Sequence, residues 1–176
     1  GKVLFNDSLS AYVTAVGRHL LRHQPRWRDS LRFYVVRSPV PNAFTAHNGI
    51  ILVNMGLLAQ LENEAQLAFV LAHEISHFLR RHPLEVYLAS QAIDAKAAGL
   101  FGRLSDQEAV VAKNFYSQEK EEEADSLGLQ LYLRAGYGRA GVEGAFRLLA
   151  YSQLPYGKEP FRPAVFEQGS LSLPSD

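Results

Sequence analysis

Three histidines and a glutamate lie in the otherwise largely apolar stretch LAHEISHFLRRH, residues 71–82. On a helix, His73 and His77 lie about 40° apart around the axis, so both imidazoles can bind one ion. Glu74 lies about 100° from His73, where its carboxylate could hold a water molecule beside the ion without being a ligand. Burying these groups without a partner would be costly, and a divalent cation offsets that cost. The stretch therefore predicts a metal site with a general base, in preference to ordinary core histidines.

A distant carboxylate is expected as the third ligand, because the chain has no cysteine to supply a thiolate. The segment EKEEEADSLGLQL, residues 119–131, is typical of a helix with one apolar face. Glu121 lies about 50° from the centre of that face, and Asp125 follows at i+4 on the same side. We predict that Glu121 ligates the ion and that Asp125 accepts the second ring N–H of a ligating histidine. The other acidic residues are expected to point away: Glu119, Glu122 and Glu123. A merely solvated acidic face is the alternative.

The remaining histidines are not predicted to be ligands. His82 comes one residue too early for the motif H-E-x-x-H-x-x-G-x-x-H, and Arg80 stands where that motif has its chain-reversing glycine. On a continuing helix, His82 would lie about 180° from His73. We expect it at a helix end, where a cation is favourable. The others are assigned to a helix surface or a turn: His19, His23 and His47.

Periodicity and caps predict the elements that carry these side chains. The predicted helices run from Asp7 or Ser8 to about His23, from Asn63 to His82, over residues 84–98, from Ser105 to Arg134 with Gly136 after it, and over residues 139–150. Strands are predicted over residues 31–36 and on both sides of the turn at Asn48 and Gly49. The fold class is α+β: a mostly helical domain with a small antiparallel sheet and the helix of His73 and His77 packed beside it. Residues 1–150 form this domain, and we expect residues 151–176 to be an irregular segment that continues into a part not present.

The strand GIILV directly precedes the helix with the histidines. It comprises Gly49, Ile50, Ile51, Leu52 and Val53. Such a strand could be a sheet edge that accepts an extended peptide by backbone pairing, or an ordinary core strand. The residues alone leave both interpretations open.

Composition narrows the classes of partner. Among 176 residues, 18 basic and 18 acidic side chains cancel, so no bulk charge favours nucleic acid. The absence of cysteine excludes disulfides and a cysteine nucleophile. No run approaches the roughly 20 apolar residues of a membrane-spanning helix, so we expect membrane association only through segments outside this chain. The sequence does not indicate an oligomeric state.

The paired motifs H-E-x-x-H and E-x-x-A-D-x-x-G, with NAF and GIILVNMGLL upstream, resemble metallopeptidase family 48. These are the gluzincins that include HtpX and the CaaX prenyl protease, and the chain is most similar to their soluble or lipid-anchored bacterial branch, of the BepA and LoiP type. The resemblance covers roughly residues 5–150 and implies one zinc ion per chain, held by His73, His77 and Glu121, with Glu74 as the base. It implies a zincin-like fold and an active site on the helix of His73 and His77, and it favours the edge interpretation of residues 49–53. Relatives of that branch carry a further histidine and arginine downstream, beyond the SLPSD at which this sequence stops.

The resemblance implies a zinc-dependent endopeptidase that hydrolyses peptide bonds in unfolded or misassembled proteins through a metal-activated water. The expected partner is an extended or unfolded polypeptide, and the expected location is the bacterial periplasm or cell envelope, in protein quality control. The alternative is a metal-stabilised, chaperone-like module that binds peptides and cleaves little or not at all.

Overall fold

A computed structural model describes residues 3–4, 7–88, 116–139 and 142. Several sequence predictions lie wholly or partly outside these residues. They are the helical segment after residue 88, the start of the helix at Ser105, the helix over residues 139–150, and the irregular segment 151–176. The division of the chain at residue 150 likewise stays a prediction.

The sheet has four strands: β1 (Val3–Leu4), β2 (Arg32–Val36), β3 (Ala43–Thr45) and β4 (Ile50–Asn54). Their order is β1-β2-β4-β3. The predicted hairpin is present, because β3 pairs antiparallel with β4 across a turn in which Gly49 has a φ of +83°. The β2–β4 pair is parallel, from Arg32 opposite Ile50 to Val36 opposite Asn54. The predicted α+β class is confirmed, with a mixed sheet in place of an antiparallel one.

The prediction that residues 49–53 form a sheet edge is wrong. Within Gly49, Ile50, Ile51, Leu52 and Val53, the four strand residues pair with β2 on one side, and the last three of them also pair with β3 on the other. Ile51 and Val53 are fully buried, as expected of an inner strand. Among the described strands, β3 lies on the outside at this end of the sheet. The turn at Asn48 and Gly49 correctly predicted a strand here, but the neighbours of that strand are set by the tertiary fold.

Helix α1 (Ser8–Leu20) begins at Asp7, whose side chain accepts hydrogen bonds from the backbone N–H groups of Leu9 and Ser10. It buries Val13, Val16 and Leu20 against the sheet side of the core. Two short helices follow, α2 (Pro25–Ser30) before β2 and α3 (Met55–Leu58) after β4.

Helix α4 (Glu64–Leu79) carries the two central histidines. Asn63 caps it by accepting the backbone N–H of Gln66, and every residue from Gln66 to His77 is buried. The helix ends at Leu79 rather than at His82, because the backbone reverses at Arg81, where φ is +63°. Residues 82–88 are again helical and are called α5 here.

Helix α6 (Gln118–Arg134) carries the acidic segment and packs along α4. It begins after Ser117 in extended conformation, so the helical run predicted from Ser105 is interrupted before α6. Its C-terminal end is as predicted, since Gly136 has a φ of +88°. A Cβ atom on Gly128 would lie 3.1 Å from the backbone of His73, so the missing side chain lets the two helices approach closely. Among the described residues, no helix is long and apolar enough to cross a membrane.

Candidate active site

Three side chains from α4 and α6 meet at one point. The Nε2 atoms of His73 and His77 are 2.9 Å apart. The Glu121 carboxylate approaches both rings, with Oε2 at 3.4 Å from His73 Nε2 and Oε1 at 3.7 Å from His77 Nε2. These distances follow from the i, i+4 spacing on α4 and from the close crossing of α6. The structure therefore brings together the three residues that the sequence analysis selected as ligands.

The donor set fits one divalent ion. One nitrogen from each histidine and one oxygen from Glu121 all lie within 4.8 Å of one another. Two imidazole nitrogens and a carboxylate are a ligand set of catalytic zinc sites, in which three protein groups leave a position for water. The histidine side chains are almost completely buried and that of Glu121 is 19% exposed. Such burial is costly for an unpartnered group, which a bound cation would offset.

Glu74 lies beside this cluster and is fixed by a residue from the sheet. Its carboxylate Oε2 is 2.7 Å from the hydroxyl of Thr45, and its backbone carbonyl is 2.9 Å from the same hydroxyl. Burial raises the pKa of Glu74, while the positive charge on His73 and the Thr45 hydrogen bond act against that rise. A carboxylate with a raised pKa is suited to accept and return a proton near neutral pH. Thr45 was missed by the sequence analysis, because nothing local connects residues 29 positions apart.

Asp125 contacts the Nδ1 edge of the His73 ring, which faces away from the cluster. Its Oδ1 is 2.8 Å from Nδ1 of His73, as the predicted orienting contact requires. Burial acts to lower the pKa of His73, but the hydrogen bonds with Asp125 and Glu121 outweigh it and raise this pKa to about 10. Burial, followed by the positive charge on His73, lowers the pKa of His77 to about 2. Without a metal ion, these shifts favour the cationic form of His73 and the neutral form of His77.

His77 has two neighbours that the sequence analysis did not assign to the site. Its Nδ1 is 3.0 Å from Nδ1 of His82, and the Nε2 of His82 is 3.1 Å from Oε2 of Glu123. The ring of Tyr116 stacks on His77 with centroids 4.0 Å apart. His82 does lie beyond the helix end, as expected, but it is buried against the site. The sequence analysis assumed a continuing helix and therefore placed His82 on the opposite side from His73. No feature of the sequence indicates the reversal of the backbone at Arg81.

The other histidines lie elsewhere. His47 stacks on Tyr87 with ring centroids 4.4 Å apart. His19 and His23 are exposed on and after α1. His19 also contacts the end of α6, with Nε2 2.9 Å from the carbonyl oxygen of Ala135, so it is more than a surface residue.

The chain is similar to known proteins over most of its length. The profile of peptidase family M48 matches residues 7–153. The beta-barrel assembly-enhancing protease of Yersinia pestis is 28% identical over 178 positions, covering 90% of this chain and 36% of that protein. Its namesake in Escherichia coli (strain K12) is 30% identical over 154 positions, covering 76% and 31%. The mitochondrial metalloendopeptidase OMA1 of Schizosaccharomyces pombe is 37% identical over 135 positions, covering 70% and 39%.

The chain thus spans about a third of the length of these relatives. The family match over residues 7–153 includes both helices of the site. The resemblance that the paired motifs indicated is confirmed, and the chain belongs to peptidase family M48, a family of metallopeptidases.

Proposed function

We propose that this chain is a zinc-dependent endopeptidase acting on unfolded or misassembled polypeptides. The observation that carries the proposal is the convergence of His73, His77 and Glu121, with Glu74 buried beside them. Membership of peptidase family M48 supports the metallopeptidase class. We also propose that residues 1–150 contain the peptidase domain.

The residues have distinct roles in this proposal. His73, His77 and Glu121 would hold the zinc ion, which when bound would polarise a peptide carbonyl and activate water for attack on it. Glu74 would accept the proton of that water and deliver it to the leaving nitrogen, so that one carboxylate serves as base and then as acid. Asp125 holds the Nδ1 proton of His73, which leaves Nε2 free to face the ion. Thr45 would fix the orientation of the Glu74 carboxylate through the hydrogen bond to its Oε2.

An extended substrate could pair with β3, the outer strand of the sheet among those described. Backbone pairing with an edge strand recognises extended chain with little dependence on sequence. Thr45 belongs to β3 and contacts Glu74, so a peptide added to β3 would run beside the general base. An unfolded polypeptide offers such extended segments, whereas a folded domain does not.

The relatives named beta-barrel assembly-enhancing protease support the bacterial periplasm or cell envelope as the site of action. Since those proteins are about three times as long as the aligned part, their substrates and assembly role come to this chain only as proposals. Protein quality control in the envelope is the biological role that we propose.

Zinc content and proteolysis test the function together. Purified wild type should contain about one zinc ion per chain and cleave unfolded casein. Cleavage should stop on removal of zinc with a chelator and return on its re-addition. Glu121→Ala should lose zinc, whereas Glu122→Ala, which removes an exposed carboxylate from the same helix, should retain it.

Glu74→Gln separates metal binding from catalysis. It should retain zinc and lose cleavage, because an amide cannot accept the proton of the attacking water. A wild type that fails to bind zinc, or a Glu74→Gln variant that still cleaves casein, would contradict the proposal. Zinc-loaded wild type that binds casein without cleaving it would instead support the chaperone-like binding module.

A further inference from the structure

His82 is buried at the end of a hydrogen-bonded chain that leads away from the metal cluster. Its side chain is only 3% exposed, although it follows directly on a helix end. It reaches this position because the chain reverses at Arg81, which has a φ of +63°. A bulky residue other than glycine rarely adopts this conformation, and such strain is often maintained at functional sites. The fold therefore holds His82 against His77 at some cost.

The direction of the hydrogen bonds in this chain follows from Glu123. An ionised carboxylate can only accept, so the Nε2 of His82, 3.1 Å from Glu123 Oε2, carries a proton. A neutral His82 then has a lone pair on Nδ1, which accepts the Nδ1 proton of His77 at 3.0 Å. His77 is left with its lone pair on Nε2, the nitrogen that faces His73 and Glu121. The carboxylate at one end thus selects the tautomer at the other.

Two further contacts hold this arrangement in place. Arg80 Nε lies 3.1 Å from Oε1 of Glu123, so the carboxylate is fixed through its second oxygen. The ring of Tyr116 stacks on His77 with an interplanar angle of 19°, which restricts rotation of the imidazole. Both ring orientation and proton position of His77 are therefore constrained from outside the cluster.

The two histidines of the cluster are supported differently by the same helix. Asp125 contacts His73 directly at 2.8 Å, whereas Glu123 acts on His77 through His82. Glu121, Glu123 and Asp125 are alternate residues of α6: Glu121 approaches Nε2 of both cluster histidines, Glu123 contacts His82, and Asp125 contacts Nδ1 of His73. The acidic composition of this segment is explained in part by these separate contacts.

We propose that His82 and Glu123 are positioning residues that fix the tautomer and ring orientation of His77 for zinc. This inference rests on the proposed zinc function. It predicts that loss of either residue weakens zinc binding although neither touches the ion. Partners of metal-ligating histidines typically change metal affinity by about 10–100-fold when removed.

Zinc affinity, measured by competition with a chromogenic chelator at constant pH, tests the proposal. Glu123→Ala should bind zinc about 10–100-fold more weakly than wild type. Glu122→Ala is the matched control, because it removes the same charge one residue away on α6, where the exposed Glu122 accepts a hydrogen bond from Gln118 rather than from the histidine chain. Arg80→Ala should have a smaller effect than Glu123→Ala, since it leaves the His82–Glu123 bond in place.

The role of His82 is tested by two substitutions of different chemistry. His82→Ala should weaken zinc binding, and His82→Asn should restore part of it, because the Asn Oδ1 can accept the His77 proton in place of Nδ1. In protein loaded with cobalt(II), the Nδ1 proton of His77 should exchange faster with solvent in Glu123→Ala than in wild type, as NMR would detect. The corresponding proton of His73 should be unaffected, which distinguishes positioning from general loss of structure.

Equal zinc affinities for Glu123→Ala and Glu122→Ala would overturn the inference while leaving the proposed function intact. Failure of wild type to bind zinc would instead contradict the proposed function itself. If His82→Ala does not fold, Glu123→Ala still decides, because the Glu123 side chain is 43% exposed and its removal leaves the core unchanged.

Discussion

The hydroxyl of Thr45 lies 2.7 Å from Oε2 of Glu74 and 2.9 Å from the backbone carbonyl of the same residue. Thr45 is the last residue of β3, and Glu74 lies in the middle of α4. The contact therefore ties the outer strand of the sheet to the proposed general base. A hydroxyl has one proton to donate, so it can satisfy one of these two acceptors fully at a time.

Thr45→Val should reduce turnover without removing zinc. A hydrogen bond to a charged group contributes about 1.5–3 kcal/mol, so we expect kcat/KM for a peptide substrate to fall by about tenfold or more. Burial raises the pKa of Glu74 and the Thr45 hydrogen bond opposes that rise. Losing the bond should therefore raise the pKa further and move the acidic limb of the pH–rate profile to higher pH. Steady-state kinetics across pH 5–8 measures both effects.

Thr45→Ser is the control for this prediction, since it keeps the hydroxyl and removes only a methyl group. It should retain most of the activity and the wild-type acidic limb. An unchanged pH profile in Thr45→Val would show that the hydroxyl does not act on Glu74.

Zinc affinity should keep rising with pH well above the ordinary titration range of histidine. Hydrogen bonds with Asp125 and Glu121, against the opposing effect of burial, raise the pKa of His73 to about 10 from 6.5. Between these values the metal-free protein retains a proton on His73 that zinc must displace. Affinity, measured in zinc buffers from pH 6.5 to 8.5, should increase toward tenfold per pH unit. Asp125→Asn should flatten this dependence, and a plateau above pH 7.5 in wild type would contradict the prediction.

The stability of the metal-free protein should fall as the pH rises, whereas the zinc affinity should increase. A histidine whose folded pKa is above its unfolded value stabilises the fold fully below pH 6.5, and this contribution is lost as pH rises toward about 10. The raised pKa of Glu74 likewise makes the folded state less stable as the pH rises. Thermal unfolding of chelator-treated protein should therefore show a falling melting temperature between pH 6.5 and 9. A rise over this range would mean that the proton is not held on His73.

Local helical geometry was sufficient to predict the centre of this site. His73 and His77 share a face because of their spacing, and Glu121 was selected from its neighbours by its angle to the apolar face of α6. Both inferences depend on one helix at a time, and the apolar, small-residue face of α6 indicated which side would meet α4. The M48 resemblance rested on the same residues.

Contacts that depend on tertiary arrangement were not predictable in this way. The residues of a single strand do not reveal its neighbours in the sheet. The segment of β4 was therefore taken as an edge, although β2 and β3 flank it. The position of His82 depends on a left-handed backbone at Arg81, which no residue preference signals. Thr45 and Glu74 meet only once the sheet and α4 have packed. These contacts surround the three proposed ligand side chains rather than form the ligand set.

Gly128→Ala should disturb the site through the packing of α6 on α4. The added Cβ would lie 3.1 Å from both Cα and N of His73 and 3.2 Å from the carbonyl carbon of Ala72. Backbone atoms of a buried helix cannot move independently, so α6 must shift and carry Glu121 away from the histidines. We expect a loss of about 1–3 kcal/mol in the free energy of unfolding, as for overpacked cores, together with weaker zinc binding.

Gly138→Ala is the matched control, because a Cβ at that position meets no atom within 4 Å among the described residues. Chemical denaturation and zinc competition on both variants provide the comparison. If Gly128→Ala binds zinc as tightly as Gly138→Ala, the close approach of α6 to α4 is not needed for zinc binding.

Arg22→Ala should destabilise the end of the helix that carries Glu121. The guanidinium donates through Nη2 to the carbonyl oxygen of Arg134 at 2.7 Å, next to the contact between His19 and the carbonyl oxygen of Ala135. Cationic side chains at a helix C-terminus satisfy free carbonyl groups and interact favourably with the helix dipole. Because Arg22 is exposed, we expect a loss of about 1 kcal/mol in the free energy of unfolding.

Arg18→Ala is the control, because it removes an exposed arginine from α1 and should reduce the free energy of unfolding by less. Zinc affinity should stay at the wild-type value in both variants, since Glu121 lies near the opposite end of α6. Equal denaturation midpoints for the two variants would show that Arg22 does not cap the helix in solution.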